Sequence, residues 1–319
     1  MIKHVTLHIP SNSMNMDLRQ MKYFVKVAET LNFSEASKEL CITQSTLSQQ
    51  INQMERELGQ KLFQRNSHEV HLTEAGDALL PYVWRCLGAA SECYERATDL
   101  SKMLTGSLNI GVTYSFSSIM TEAVVDFLKQ YPHVKINICH QTMETLMEKL
   151  LHHQLDLVLA FKPENENSKV SSEPIFSNCL TAVVDSYHPL AAKKMVTLDD
   201  LARYPLAMPS RGLQARNLFD QLTEGRSDAL HVKIEINNVQ MLLHLIQDSR
   251  YATILSASTV INASGLKAIP IDLKGNKMTG CIHTLAESYQ KNSAREFIRM
   301  VKESTSVVRI SQLKDLYGA

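Results

Sequence analysis

The chain has 319 residues, 44% hydrophobic and 21% charged, which suits a folded protein of two or three domains and excludes a disordered or fibrous one. No run approaches the roughly 18 apolar residues of a transmembrane helix, and the opening MIKHVTLHIPSNSMNM lacks a signal peptide's apolar core and cleavage site. A cytoplasmic protein with no membrane partner is expected. Lysines and arginines number 33 and acidic residues 33, so the formal net charge is zero, which argues against strong nonspecific attraction to nucleic acid.

Residues 1–15 carry no periodic pattern and read as a mobile extension. A helix opens at Met16 or Asp17, with Leu18, Met21, Phe24, Val25 and Ala28 as its apolar face. The most informative stretch follows, NFSEASKELCITQSTLSQQINQMERELGQKLFQR from Asn32 to Arg65. Two helical patterns are separated by a break at Cys41 and Ile42, and Thr43 is placed to cap the second. In that second helix Leu47, Ile51, Met54 and Leu58 form one stripe, which leaves Ser45, Ser48, Gln49 and Asn52 on the opposite face. Amides and hydroxyls both donate and accept at base edges, so this face suits a major groove. An ordinary helical hairpin inside a core is the bland alternative. Gly59 can end the helix, and Leu62, Phe63 and Leu72 bracket a hairpin carrying Arg65 and His68, placed as a wing at a phosphate or in the minor groove.

From Leu18 to Gly76, and above all in FVKVAETLNFSEASKELCITQSTLSQQINQMERELGQKLFQR and the following LTEAG, the sequence resembles the DNA-binding domain of LysR-type transcriptional regulators. The resemblance implies a winged helix-turn-helix at 16–72 in which Gln44, Ser45, Ser48 and Gln49 face bases and Arg65 the backbone. Many members carry arginine where this chain has Gln49, so a strong bidentate guanine contact there is not expected.

Thr73 opens a helix with Glu74 and Asp77 in its first turn, and the pattern persists to about Met103, with a kink or restart expected at Pro81. Leu80, Val83, Leu87, Ala90, Tyr94 and Ala97 follow at three- and four-residue steps, the seam of a two-helix coiled coil. A helix lying on its own domain is the alternative, but the resemblance also implies a linker helix, so residues 73–104 are read as one that joins two copies. The resemblance adds a dimer of dimers, a tetramer, on a split promoter site.

Beyond Gly106, strand and helix patterns alternate. Strands are expected at Ser107 to Val112, Val134 to Cys139, Leu155 to Ala160, Leu180 to Val184, Leu206 to Met208, Val232 to Ile236 and Ala252 to Leu255. This is an α/β pattern with a mainly parallel sheet. The resemblance implies a two-lobed type-2 periplasmic-binding-protein-like effector domain at 105–303. Its first lobe would hold 105–161 and about 265–303, its second about 162–264, and 304–319 would be a tail.

Ligands in such sheets sit at strand carboxyl ends beside helix N-termini. That rule selects Thr113, Tyr114, Ser115, Phe116, Ser117, Gln141, Thr142 and Phe161 from the first lobe, and Ser210 and Arg211 from the second. Hydroxyls, free amides and an arginine suit a small anion or carboxylate as effector. The same hydroxyls also serve as ordinary helix caps.

The six cysteines, Cys41, Cys86, Cys93, Cys139, Cys179 and Cys281, form no C-x-x-C pair, so reduced thiols are the default. Neither Cys139-His140 nor His152-His153 has zinc spacing, and G-x-S-x-G, Walker and G-x-G-x-x-G signatures do not occur, so no metal, cofactor or catalysis is expected. The expected function is control of transcription, with promoter DNA, a small effector, a second copy of the chain and RNA polymerase as partners. The alternatives are a redox-responsive regulator acting through Cys179, and a small-molecule-binding protein or enzyme with an accessory helical domain.

Overall fold

The computed structural model describes residues 16–66, 69–98, 104–223, 230–247, 249–260 and 263–317. The extension expected at 1–15 and the wing residue His68 lie outside the described residues. The chain forms two compact units, Met1–Tyr94 and Glu95–Ala319.

In the first unit each helix starts where a side chain can take its orphan amides. Asp17 accepts from the Gln20 amide at 2.7 Å ahead of α1 (Leu18–Thr30), and Asn32 accepts from Ser34 and Glu35 ahead of α2 (Phe33–Glu39). The turn that follows places Cys41 at φ 54, while the Ile42 amide donates to the Ser37 carbonyl and that of Cys41 to the Lys38 carbonyl. This double closure stops α2 sharply. Thr43 accepts from the Thr46 amide at 3.1 Å and starts α3 (Gln44–Leu58), which Gly59 ends at φ 65. A short antiparallel hairpin, β1 (Phe63–Arg65) with β2 (Val70–Leu72), pairs Phe63 with Leu72 and forms the wing.

Phe24, Val27, Ala36, Leu47, Ile51 and Met54 are fully buried in this unit's core, each large side chain contributing about 1.5–3 kcal/mol. Leu58, expected on the same stripe, is 39% exposed, because it is the last residue of the helix, where Gly59 turns the chain. Helix α4 (Glu74–Thr98) runs through Pro81 without the expected restart. Its seam is also partly spent within the unit: Val83 is 1% exposed in the same core, with Leu79, Leu80, Trp84 and Leu87 packed beside it. The face left open is Tyr82, Cys86, Ala89 and Cys93, again at four- and three-residue steps.

The second unit begins with the end of α4. Strands β3 (Gly106–Val112), β4 (Val134–His140), β5 (Leu157–Phe161), β6 (Val170–Asn178) and β12 (Met278–Leu285) form one sheet in the order β4-β3-β5-β12-β6. The first three are parallel, and β12 runs antiparallel to both β5 and β6. Helices α5 (Ser117–Gln130), α6 (Met143–Leu151) and α10 (Asn292–Glu303) belong to this lobe. The second lobe holds an antiparallel sheet, with β7 (Leu180–Asp185) between β10 (Thr253–Ser256) and β11 (Leu266–Pro270), and a parallel pair of β8 (Leu206–Pro209) and β9 (Val232–Ile236). Its helices are α7 (Leu198–Leu201), α8 (Gln214–Thr223) and α9 (Val239–Ile246).

Three expectations change here. The second lobe is mixed rather than mainly parallel, because β10 and β11 both flank β7 in the opposite sense. The lobe boundaries move, since β6 completes the first sheet and β11 pairs in the second, so the chain crosses near Cys179 and again between Pro270 and Met278. The expected tail forms a helix, α11 (Thr305–Tyr317), because Glu122 of α5 accepts from the Thr305 and Ser306 amides at 2.7 and 3.0 Å and caps it.

Glu55 joins α3 to the wing. Its carboxylate is 3% exposed and accepts from the Leu62 amide at 3.0 Å, the Phe63 amide at 3.3 Å and the Lys61 ammonium at 2.7 Å. Burial pushes this carboxyl up, but Lys61 and the two amides outweigh it and hold it below the usual range. A group depressed in the folded state stabilises above its unfolded pKa and loses that contribution as pH falls through the lowered value. Glu55→Gln is expected to cost about 1–3 kcal/mol in urea unfolding at pH 7. The wild-type advantage should shrink toward zero in acid, and an advantage independent of pH would contradict this role.

Candidate functional site

The face of α3 opposite its buried stripe is polar and accessible: Gln44, Ser45 and Gln49 are exposed, Ser48 and Asn52 half-buried. The Thr43 hydroxyl lies 2.9 Å from that of Ser45 and 2.8 Å from that of Thr46, which orients the first turn. Structure and sequence thus agree on one contiguous strip of amides and hydroxyls. Arg65 is less free than expected. Its guanidinium lies 4.3 Å over the Phe33 ring and 3.9 Å from the Glu55 carboxylate, so part of its charge is used to bind the wing to α2 and α3.

Other cations are similarly engaged. Lys26 sits 2.9 Å from both Glu29 and Glu39, Lys61 pairs with Glu55, and Arg19 lies 3.5 Å from Asp17. Among the described residues of this unit, Lys22, Lys38, Arg56 and Arg85 are exposed and carry no ion pair, Arg85 lying 4.4 Å over the Tyr82 ring. These four, rather than the total basic count, are the charges left unneutralised by carboxylates.

In the second unit the two lobes meet at a cleft in two compartments that share Tyr114, Ser115 and Val239. The narrow one, about 20 Å³, is lined by Thr113, Gln141, Thr142 and Met143 from the first lobe and by Gly212, Leu213 and Gln214 from the second. It is closed by Gln214, the first residue of α8. The Gln214 carboxamide accepts from the Phe161 amide at 3.4 Å and donates to the Phe161 carbonyl at 3.3 Å. The wider compartment, about 280 Å³, is lined by Ser117, Ser118 and His140 on one side and by Asn238, Gln240, Leu243 and Thr259 on the other.

Of the expected effector residues, Thr113, Tyr114, Ser115, Ser117 and Thr142 line these compartments. Phe161 offers only its backbone, since its ring is buried against Phe116 and Phe176. Ser210 and Arg211 do not line either compartment. The Arg211 side chain is 75% exposed and lies 3.7 Å from Asp220, outside the cleft. Arg216 is buried but fully matched, 2.9 Å from both Asp220 and Glu235 and 3.2 Å from the Pro209 carbonyl. The expected cationic wall is therefore absent from the described lining, which removes the main argument for a carboxylate effector.

Sequence reasoning missed His140, Gln214, Asn238, Gln240 and Thr259. Gln214 and Asn238 stand at helix starts, so the rule that selected Thr142 could have found them; His140 and Thr259 become neighbours of the site only through the fold. The His140 ring stands edge-on to Tyr114 with centroids 3.9 Å apart, and burial lowers its pKa, which favours neutral imidazole. Among the described residues, no group of three or more His, Cys, Asp or Glu could hold a metal, and no helix is long and apolar enough to cross a membrane.

Comparison with known proteins gives the same two-part division. Residues 18–77 match the model of the bacterial regulatory helix-turn-helix proteins of the lysR family, and 101–306 that of the LysR substrate binding domain. The transcriptional activator CmpR of Synechocystis is 26% identical over 242 residues, 76% of this chain and 79% of the relative. Two solved structures share the fold. A full-length OxyR variant from Pseudomonas aeruginosa has a TM-score of 0.69 at 21% identity, over 94% of this chain and 97% of that one. Full-length CbnR complexed with its target DNA has a TM-score of 0.63 at 22% identity, over 90% and 99%. With both family models matched in order and together spanning most of its length, the chain belongs to the LysR family of DNA-binding transcriptional regulators and carries that family's effector-binding domain.

Proposed function

We propose that Gln44, Ser45, Ser48, Gln49 and Asn52 read base edges in the major groove of promoter DNA, that Arg65 steadies the wing beside the backbone, and that a small molecule bound between the lobes shifts the population of DNA-bound arrangements. The observation that carries this reading is the division of α3 into a fully buried stripe and an open, uncharged polar strip. The CbnR complex with target DNA supports it by likeness of fold. Two copies joined along α4 would present two strips to one duplex, and pairing of such dimers would give a tetramer in the cytoplasm, with RNA polymerase as a further partner. With so few unpaired cations per copy, affinity depends on that duplication.

A thiol switch at Cys179 has less support. That residue is 3% exposed, and burial pushes its thiol up to about 11, so almost none is thiolate at neutral pH. Cys281 is buried with the same consequence, while Cys41 is exposed.

Replacing Ser48 or Gln49 by Ala is expected to relax preference at one or two base pairs at a cost of about 1–3 kcal/mol on the specific site. Arg65→Ala should weaken specific and random DNA alike, and its melting temperature must be measured beside binding because the Phe33 contact is lost too. Equal losses on both DNAs for all three variants would contradict the base-reading role. For self-association, Ala89→Arg on the open face of α4 should shift sedimentation toward the monomer, whereas an unchanged mass would move the interface elsewhere. Mass-resolved alkylation of the native protein should modify Cys41 well before Cys179; rapid modification of Cys179, or a peroxide-induced disulfide through it, would revive the redox reading.

A further inference from the structure

The wider compartment of the cleft restricts the chemistry of its occupant. At about 280 Å³ it lies at the lower edge of the ~300–1,000 Å³ typical of ligand sites, which suits a molecule of monosaccharide size. Among its described lining residues there is no lysine, arginine, aspartate or glutamate. What remains is a mixed set of donors and acceptors. Asn238 uses its carbonyl oxygen to cap α9, receiving the Met241 amide at 2.9 Å, so its NH₂ is the group left to donate. Ser117 donates to the Tyr114 carbonyl at 2.9 Å and keeps lone pairs to accept. Thr259 donates to Ser115 at 3.4 Å, which leaves the Ser115 proton available, and Gln240 uses its NH₂ toward His244 at 3.3 Å, which leaves its carbonyl.

A carboxylate placed here would lose its water without a counter-charge. The N-termini of α5, at Ser117, and of α9, at Asn238, offer an anion only partial positive charge, the second already engaged by the Asn238 side chain, which does not offset the desolvation of a full carboxylate. An ammonium fares no better, since no carboxylate faces it. A ligand whose every group both donates and accepts meets the lining without either cost. Arg211 and Arg216 do not alter this balance, because Asp220 and Glu235 engage them outside the compartment.

We propose that the effector is a small uncharged polyol or monosaccharide, held in this compartment by Ser115, Ser117, Asn238, Gln240 and Thr259, beside the edge-on pair of Tyr114 and His140. The inference rests on the reading of the cleft as the effector site and names its ligand class. Calorimetry of the full-length chain tests it with glucose, mannose, galactose and myo-inositol, alongside gluconate, glucuronate and galacturonate, and glucosamine as the amine. At least one neutral compound is expected to bind, with its acid and amine counterparts at least about tenfold weaker. Gln240→Ala and Thr259→Val should each weaken the neutral ligand about tenfold, the loss of roughly one hydrogen bond, with the melting temperature of the free Gln240→Ala protein unchanged. Tighter binding of an acid, weakened by the same substitutions, would overturn the ligand class and leave the cleft reading standing. Neutral binding that neither substitution affects would overturn the cleft reading itself. No binding in any of the three sets would overturn the assignment to polyols.

Discussion

The arrangement of α3 and the wing in the first unit depends on a buried carboxylate. Glu55 lies on α3, yet its oxygens receive the first amides of the wing strand and the ammonium of Lys61. A carboxylate at this depth is stable only if its hydrogen-bonding capacity is met, and three donors meet it. The consequence is geometric: wing and recognition helix cannot rotate independently about the long axis of α3 without exposing an unpaired charge. Arg65 completes the arrangement by lying over Phe33 within reach of the same carboxylate. The residue that sequence alone marks as a phosphate contact is thus also part of what holds the wing in place.

Charge neutralisation recurs in the second unit and there shapes the chemistry of the cleft. Arg216 is buried and would be an obvious anion ligand in isolation, but Asp220 and Glu235 match it. Lys291 is matched as well, 2.9 Å from both Glu95 and Asp156 and 3.1 Å from the Ser107 carbonyl. Burial pushes the Asp156 carboxyl up even beside that ammonium. Arg96 adds a second tie, its guanidinium 4.7 Å over the Tyr289 ring. The last residues of α4 are therefore held against the first lobe by charge and by ring contact, a firm base for the sheet that carries the cleft.

The cleft itself is asymmetric. Gln214 pairs with the Phe161 backbone as a ligand's amide would, and its side chain fills the narrow compartment. The wider compartment stays open on the other side of Tyr114 and Ser115. Both compartments take one wall from each lobe, so any occupant bears on the angle between the lobes, which is the coordinate an effector must move to act at a distance.

Local chemistry made much of this legible from sequence alone. Thr43 and Gly59 act through their own side chain or φ angle and bond within a few residues, so helix limits and the polar strip of α3 could be read directly, as could the apolar runs of β3, β5 and β7. What escaped depends on partners distant in the chain. Strand β6 is a polar run with Pro174 inside it and is a strand because β12 pairs with it; β11 belongs to the second lobe because β7 does; α11 forms because Glu122, far upstream, caps it. Whether Val83 serves an interface or a core, and whether Arg211 faces a ligand or water, is likewise set by what packs beside them. The sequence by itself determined the two-part plan and the polar face of α3, which follow from periodicity and caps, while the family was legible through the resemblance of residues 18–76. Tertiary structure decided which charges remain free, because beside local pairs such as Lys26–Glu29 and Arg216–Asp220, charges are cancelled through space by partners as distant as Glu39, Glu235 and Asp156, whose separation along the chain carries no signal.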